Sequence, residues 1–208
     1  MHFYEDLAEL ARSAKFGDVI ASGRGAISTK NKRPGVRARR GDGTFGEVLP
    51  GEAVVRDPGY KVPRGLIATV EIGIEVKILQ KAMIKQIDRV TTDLINQANE
   101  FRIKSGGGQA IRIGVVGINH AEYTIGYEGA RSYRTTGVAS YRHPAQEAAD
   151  ARQRLEAKAA PSFEELLFLP FKATNEAPFP FEWVNGPQVE REYAAALVRT
   201  SSQYQSRF

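Results

Sequence analysis

The chain contains no cysteine. A disulfide scaffold, a thiolate zinc site and a cysteine nucleophile are therefore excluded. No run approaches the roughly 18 apolar residues that mark a transmembrane helix. The stretch from Met1 to Ala14 carries acids and lacks the apolar core of a secretory signal, so the cytoplasm is the expected compartment. Internal repeats and low-complexity tracts are also missing. What is present is ordinary globular composition, 42% apolar and 25% charged, over 208 residues. That length suits a single domain, residues 1–208, able to bury its core without a metal or a crosslink.

Charge is unevenly spread. The net charge is +5, yet residues 22–43 hold seven bases (Arg24, Lys30, Lys32, Arg33, Arg37, Arg39 and Arg40) against one acid, Asp42. The rest of the chain has 22 bases against 23 acids. A glycine-rich segment with all the excess positive charge suits an anionic partner, and a nucleic-acid backbone is the commonest. A solvated basic loop is the alternative.

Periodicity gives the elements. Residues 3–15 place Phe3, Leu7, Leu10 and Ala14 on one helical face, with Gly17 as the stop. Residues 19–50 read as irregular or short-stranded. Residues 52–57 read as a short strand ended by Pro58-Gly59. From Leu66 to Leu79 the apolar Val70, Ile72, Ile74, Val76 and Ile78 alternate with Glu71, Gly73, Glu75 and Lys77. Period two predicts a strand with one apolar and one charged face. Residues 80–104 follow at helical period, with Ile84, Ile87, Leu94, Ala98 and Phe101 inward and Lys81, Lys85, Asp88 and Arg89 outward. The apolar run 111–118 predicts a central strand. Residues 119–143, with Tyr123, Tyr127, Tyr133 and Tyr141 among Arg131, Arg134 and Arg142, read as loop with short strands. This segment either stacks bases and contacts phosphates or forms a sheet-edge surface. An exposed helix over 145–160, a packed irregular segment over 163–183 and a last helix over 188–201 complete the chain.

The chemistry centres on the charged face of strand 66–79. Glu75 and Lys77 are two apart and so point the same way from one strand. Asp57 lies upstream, before a turn, where a neighbouring strand would bring it beside Glu75. Two close carboxylates repel, and a hard cation such as Mg²⁺ relieves that repulsion with oxygen ligands. A lysine beside them orients water or stabilises phosphorane charge. Glu52 is an alternative to Asp57. Glu71 shares the parity of Glu75 and is either a supporting group or the exposed end of the strand. His120 follows the strand 111–118 and is a lone histidine; His2 and His143 have no evident partner. Gly106–Gly108 has no Lys-Ser/Thr after it, which excludes a P-loop.

An acid ahead of a hairpin (Asp57), then Glu75-Val76-Lys77 in an apolar strand, then a helix and a further strand, resembles the PD-(D/E)XK nuclease superfamily. The resemblance covers roughly residues 3–118. Here a proline follows Asp57, as Pro58, instead of preceding the acid. The resemblance implies an α/β restriction-endonuclease-like core, a mixed central sheet flanked by helices, with residues 119–208 completing the fold or forming a dimer or DNA-contact extension. It implies Asp57, Glu75 and Lys77 as catalytic residues. Asp57, Glu75 and the Val76 carbonyl would be metal ligands, with Glu5 or Glu9 on the first helix as a further acid. Mg²⁺, or Mn²⁺ in its place, would be the cofactor. The implied activity is metal-dependent hydrolysis of DNA, as a restriction-type endonuclease acting as a homodimer. The segment 22–43 together with Lys81, Lys85, Arg131 and Arg134 would contact DNA. The rival expectation is a non-catalytic basic nucleic-acid-binding or assembly protein in which Glu75 and Lys77 are only an ion pair.

Overall fold

The computed structural model describes residues 3–28, 43–106 and 109–208. Two short helices, α1 (Phe3–Leu10) and α2 (Ala14–Ala21), precede strands β1 (Gly25–Ser28), β2 (Gly43–Glu47) and β3 (Arg64–Gly65). Strand β4 (Ile72–Leu79) leads through the long helix α3 (Met83–Lys104) to β5 (Ile111–Asn119). A hairpin of β6 (Ile125–Glu128) and β7 (Arg131–Arg134) and helix α4 (Pro144–Lys158) follow. Strands β8 (Glu165–Ala173) and β9 (Phe181–Trp183) and helix α5 (Gly186–Arg207) close the chain.

The main sheet is ordered β3-β1-β2-β4-β5-β8-β9. Strands β1, β2 and β4 form an antiparallel meander, while β4, β5 and β8 run parallel. The sheet is thus mixed, with helices on both faces. Even-numbered residues of β4 (Ile72, Ile74) join Ile111, Ile113 and Leu169 under α1, α2 and α5. Leu79 on the odd parity joins Val116, Ile118 and Phe168 under α3 and α4. Strand β5 is buried on both sides, which is why its sequence is an almost unbroken apolar run. Helices α3 and α4 share one face, as expected for successive parallel crossovers of one hand. No helix among the described residues is long and apolar enough to cross a membrane.

Several expectations need correction. The regular strand starts at Ile72 rather than Leu66; of the preceding residues, Ile67 makes only an isolated bridge with Val48. The segment 52–57 is not a strand beside β4, because β2 takes that place; Val55 makes only an isolated bridge with Arg64. The N-terminal helix breaks at Ala11, whose φ of 49° is left-handed, and Ser13 caps a second helix that runs through Gly17. Residues 165–173 form a regular strand, not an irregular segment. Two-sided burial removes alternation from Leu166-Leu167-Phe168-Leu169, so period-two patterning could not mark it.

Gly73 sets how close α3 lies to the sheet. A Cβ there would fall 2.4–2.6 Å from atoms of the Phe101 ring, which is fully buried. Helix α3 has no side-chain cap of its own after the left-handed Ala82. Instead Glu147 of α4, buried, accepts the Met83 N–H at 2.7 Å. The carboxylate meets the positive end of the α3 dipole and satisfies one of the orphan N–H groups.

Candidate functional site

Glu75 and Lys77 are brought together. Glu75 Oε1 lies 2.6 Å from Lys77 Nζ, and the Glu75 side chain is 6% exposed against 28% for Lys77. Both stand on the odd parity of β4, between Gly73 under Phe101 and Leu79 in the α3–α4 core. The charged parity therefore faces helix α3 and not open solvent. The other parity is the exposed one toward the strand end, with Val76 38% and Ile78 67% exposed. Hydrophobic alternation found the strand and its apolar and charged parities, and Ile72 and Ile74 of the apolar parity are in the core, but nothing in residues 66–79 reveals that the following helix covers the charged side.

The carboxyl ends of the parallel strands are tied by Asn119. This fully buried amide donates to Gln80 O (3.2 Å) and Ala173 O (2.8 Å) and accepts from the Ala121 and Ala173 N–H groups (3.0 and 3.1 Å). One side chain thus links the exits of β4, β5 and β8 just beyond Lys77. The signal available in the sequence was a lone polar residue closing an apolar strand.

Asp57 is not beside Glu75. Its carboxylate receives two hydrogen bonds from Arg64, Nε at 2.5 Å and Nη2 at 2.8 Å, and these hold its pKa below the usual carboxylate range. It lines a cavity of about 840 Å³ whose walls include Phe3, Ile74, Val76, Val115 and Trp183. That cavity lies on the even parity of β4, across the sheet from Glu75. Glu5 belongs to the same cavity and accepts the Lys61 and Val62 N–H groups at 2.8 and 3.0 Å; Glu9 pairs with Lys61. These acids anchor the loop before β3. Glu52 is exposed, on the approach to the same loop. Val76 lies in the ladder opposite Val115, its side chain in the cavity wall. Glu71 accepts the Tyr204 hydroxyl at 2.5 Å, and burial raises its pKa despite that bond, with nearby Glu47 adding to the rise.

A shared Mg²⁺ needs several oxygen ligands converging on one point. Asp57 and Glu75 do not converge, so that pair does not fit the ion. Among the described residues no group of three or more His, Asp or Glu side chains is placed to hold a metal.

The expected nucleic-acid contacts divide three ways. Lys30, Lys32, Arg33, Arg37, Arg39 and Arg40 lie outside the described residues, as does His2. Arg24, Lys85, Arg131 and Arg134 are exposed. Lys81 is pinned at the exit of β4, its ammonium donating to Tyr133 Oη at 2.5 Å and lying 4.1 Å from that ring's centroid. His120 is partly buried, and its pKa is lowered by burial and by the nearby Arg152 and Lys172. His143 does have a partner: its Nδ1 is 2.9 Å from Thr135 Oγ1 at the start of α4.

No protein-family model matches the chain, and neither does any curated protein or solved structure.

Proposed function

We propose that the protein hydrolyses phosphodiester bonds of nucleic acid, DNA foremost, at Glu75 and Lys77, on a restriction-endonuclease-like core. The observation that carries the reading is the buried carboxylate–ammonium pair on the central strand of the sheet. A charged pair costs desolvation that an apolar pair of like volume would not, so its burial marks a site more readily than a stability device. The order of β4, crossover helix α3 and parallel β5 supports the same reading. Lys77, the more exposed partner, offers an ammonium to a phosphate oxygen or an attacking water. Glu75 holds that ammonium in place and offers carboxylate oxygens at the same spot.

Mg²⁺, with Mn²⁺ as substitute, is the proposed cofactor, and Asp57 is not the proposed second ligand. A restriction-type homodimer in the cytoplasm is the accompanying proposal, since two sites cut two strands.

The test is incubation of the full chain with supercoiled and linear DNA in Mg²⁺ and in EDTA. Cleavage in Mg²⁺ that EDTA abolishes is expected. Binding without cleavage of any DNA would leave the non-catalytic reading in its place.

A further inference from the structure

The hairpin of β6 and β7 stands apart from the main sheet, at the exit of β4. It is held rigidly: the Ile125 N–H donates to Thr174 O at 2.8 Å, and Asn175 Nδ2 donates to Ile125 O at 2.8 Å. The two faces of the hairpin each carry a cation on a tyrosine ring. On one, the Arg134 guanidinium lies 3.4 Å from the Tyr123 ring centroid. On the other, Lys81 sits on Tyr133. Gly126 makes the second contact feasible, because a Cβ there would fall 1.9 Å from Lys81 Nζ and 2.7 Å from the Tyr133 ring.

Lys81 is four residues past Lys77 in the chain, no more than about 14 Å away. That is the rise of roughly four nucleotides along one strand of a duplex. Tyr127 is 55% exposed, two residues from Ile125 on the Arg134 face. An exposed ring that shares a face with the exposed Arg134 matches an unstacked base followed by its phosphate. Of the nearby acids, Glu176 accepts the Tyr123 hydroxyl at 2.8 Å, and Glu128 stands opposite Arg131 in the hairpin register, on the face away from Tyr127.

We infer that this hairpin is a stacking platform for unpaired nucleotides, with Tyr127 taking a base and Arg134, on the same face, a flanking phosphate. Resting on the nucleic-acid reading above, the inference makes the substrate a DNA with a single-stranded stretch beside the cleavage site, rather than uninterrupted duplex. Stacking on a tyrosine is tolerant of base identity but requires the base to be out of the helix.

The test is fluorescence anisotropy of the full chain in EDTA, with a fluorescein-labelled single-stranded oligonucleotide and with the duplex of the same sequence. Tyr127→Ala should weaken single-strand binding about tenfold or more and duplex binding by no more than about twofold. Tyr127→Phe, which keeps the π face, should bind the single strand like the wild type. Equal losses on both DNAs, no loss on either, or a Phe variant as weak as the Ala variant overturns the platform. Single-strand preference through Tyr127 without cleavage of any DNA overturns the nuclease reading alone. Cleavage with no such preference overturns the platform alone.

Discussion

Removing Lys77 should cost more stability than removing Glu75, although both sit in one ion pair. The Glu75 side chain is 6% exposed and Lys77 28%. Lys77→Met takes the ammonium away from a carboxylate buried in the core, and breaking a buried pair from one side costs about 3–5 kcal/mol. Partial exposure on the lysine side admits some water, so about 3 kcal/mol is expected. For a chain of this size that is roughly 6–12 °C in Tm. Glu75→Gln leaves an ammonium on a flexible stem that reaches solvent, so about 1 kcal/mol is expected. The double variant removes both charges and should cost less than the two singles together by at least about 1.5 kcal/mol. Urea unfolding followed by far-ultraviolet circular dichroism measures all four proteins, with slopes compared to exclude a change in the denatured state. Equal single losses that add in the double variant would refute the buried-pair geometry.

Gly73→Ala should destabilise by about 1–3 kcal/mol, because the new methyl enters the Phe101 ring; Phe101→Leu in the same chain should recover part of that, measured by thermal melts. Glu71 has a pKa raised by burial, so its native state holds a proton more tightly than the unfolded chain. Its contribution to stability is present below the unfolded glutamate pKa of about 4.3 and is lost as pH rises through the raised native value. The stability difference between Glu71→Gln and wild type should therefore move in favour of the variant from about pH 4 to 7; movement the other way in urea titrations contradicts this. Replacing Arg37, Arg39 and Arg40 by alanine should flatten the log–log salt dependence of duplex binding by roughly two to three units if each neutralises one phosphate. An unchanged slope would place the electrostatic contacts elsewhere.

Much of the site's scaffold was legible in the sequence. Strict alternation over Ile72–Ile78 and helical spacing from Ile87 to Phe101 gave β4 and α3, because each element buries one continuous stripe. The run 111–118 gave β5 as a central strand. The side to which Glu75 points was not legible: a charged parity reads as solvent-facing, and only tertiary packing puts α3 over it. Asp57 was placed beside Glu75 by spacing alone. The strand required at 52–57 does not form, and Arg64 holds the carboxylate on the far side of the sheet. Strand β8 was hidden because burial on two faces leaves no period to detect. The helix cap from Glu147 and the Asn119 tie join residues 64 and 39–54 positions apart, and no local pattern reports such contacts.

The most direct measurement is the rate of DNA cleavage in Mg²⁺ by wild type, Glu75→Gln, Lys77→Met and Asp57→Asn, each first shown to be folded by circular dichroism. Glu75→Gln and Lys77→Met are expected to lose about a hundredfold or more, since groups acting on the transition state carry that scale of effect. Asp57→Asn should cut within about threefold of wild type, because its carboxylate serves Arg64 and the loop across the sheet. Wild-type rates in Glu75→Gln or Lys77→Met would contradict a catalytic site at those residues, and an inactive Asp57→Asn would contradict the placing of Asp57 outside it.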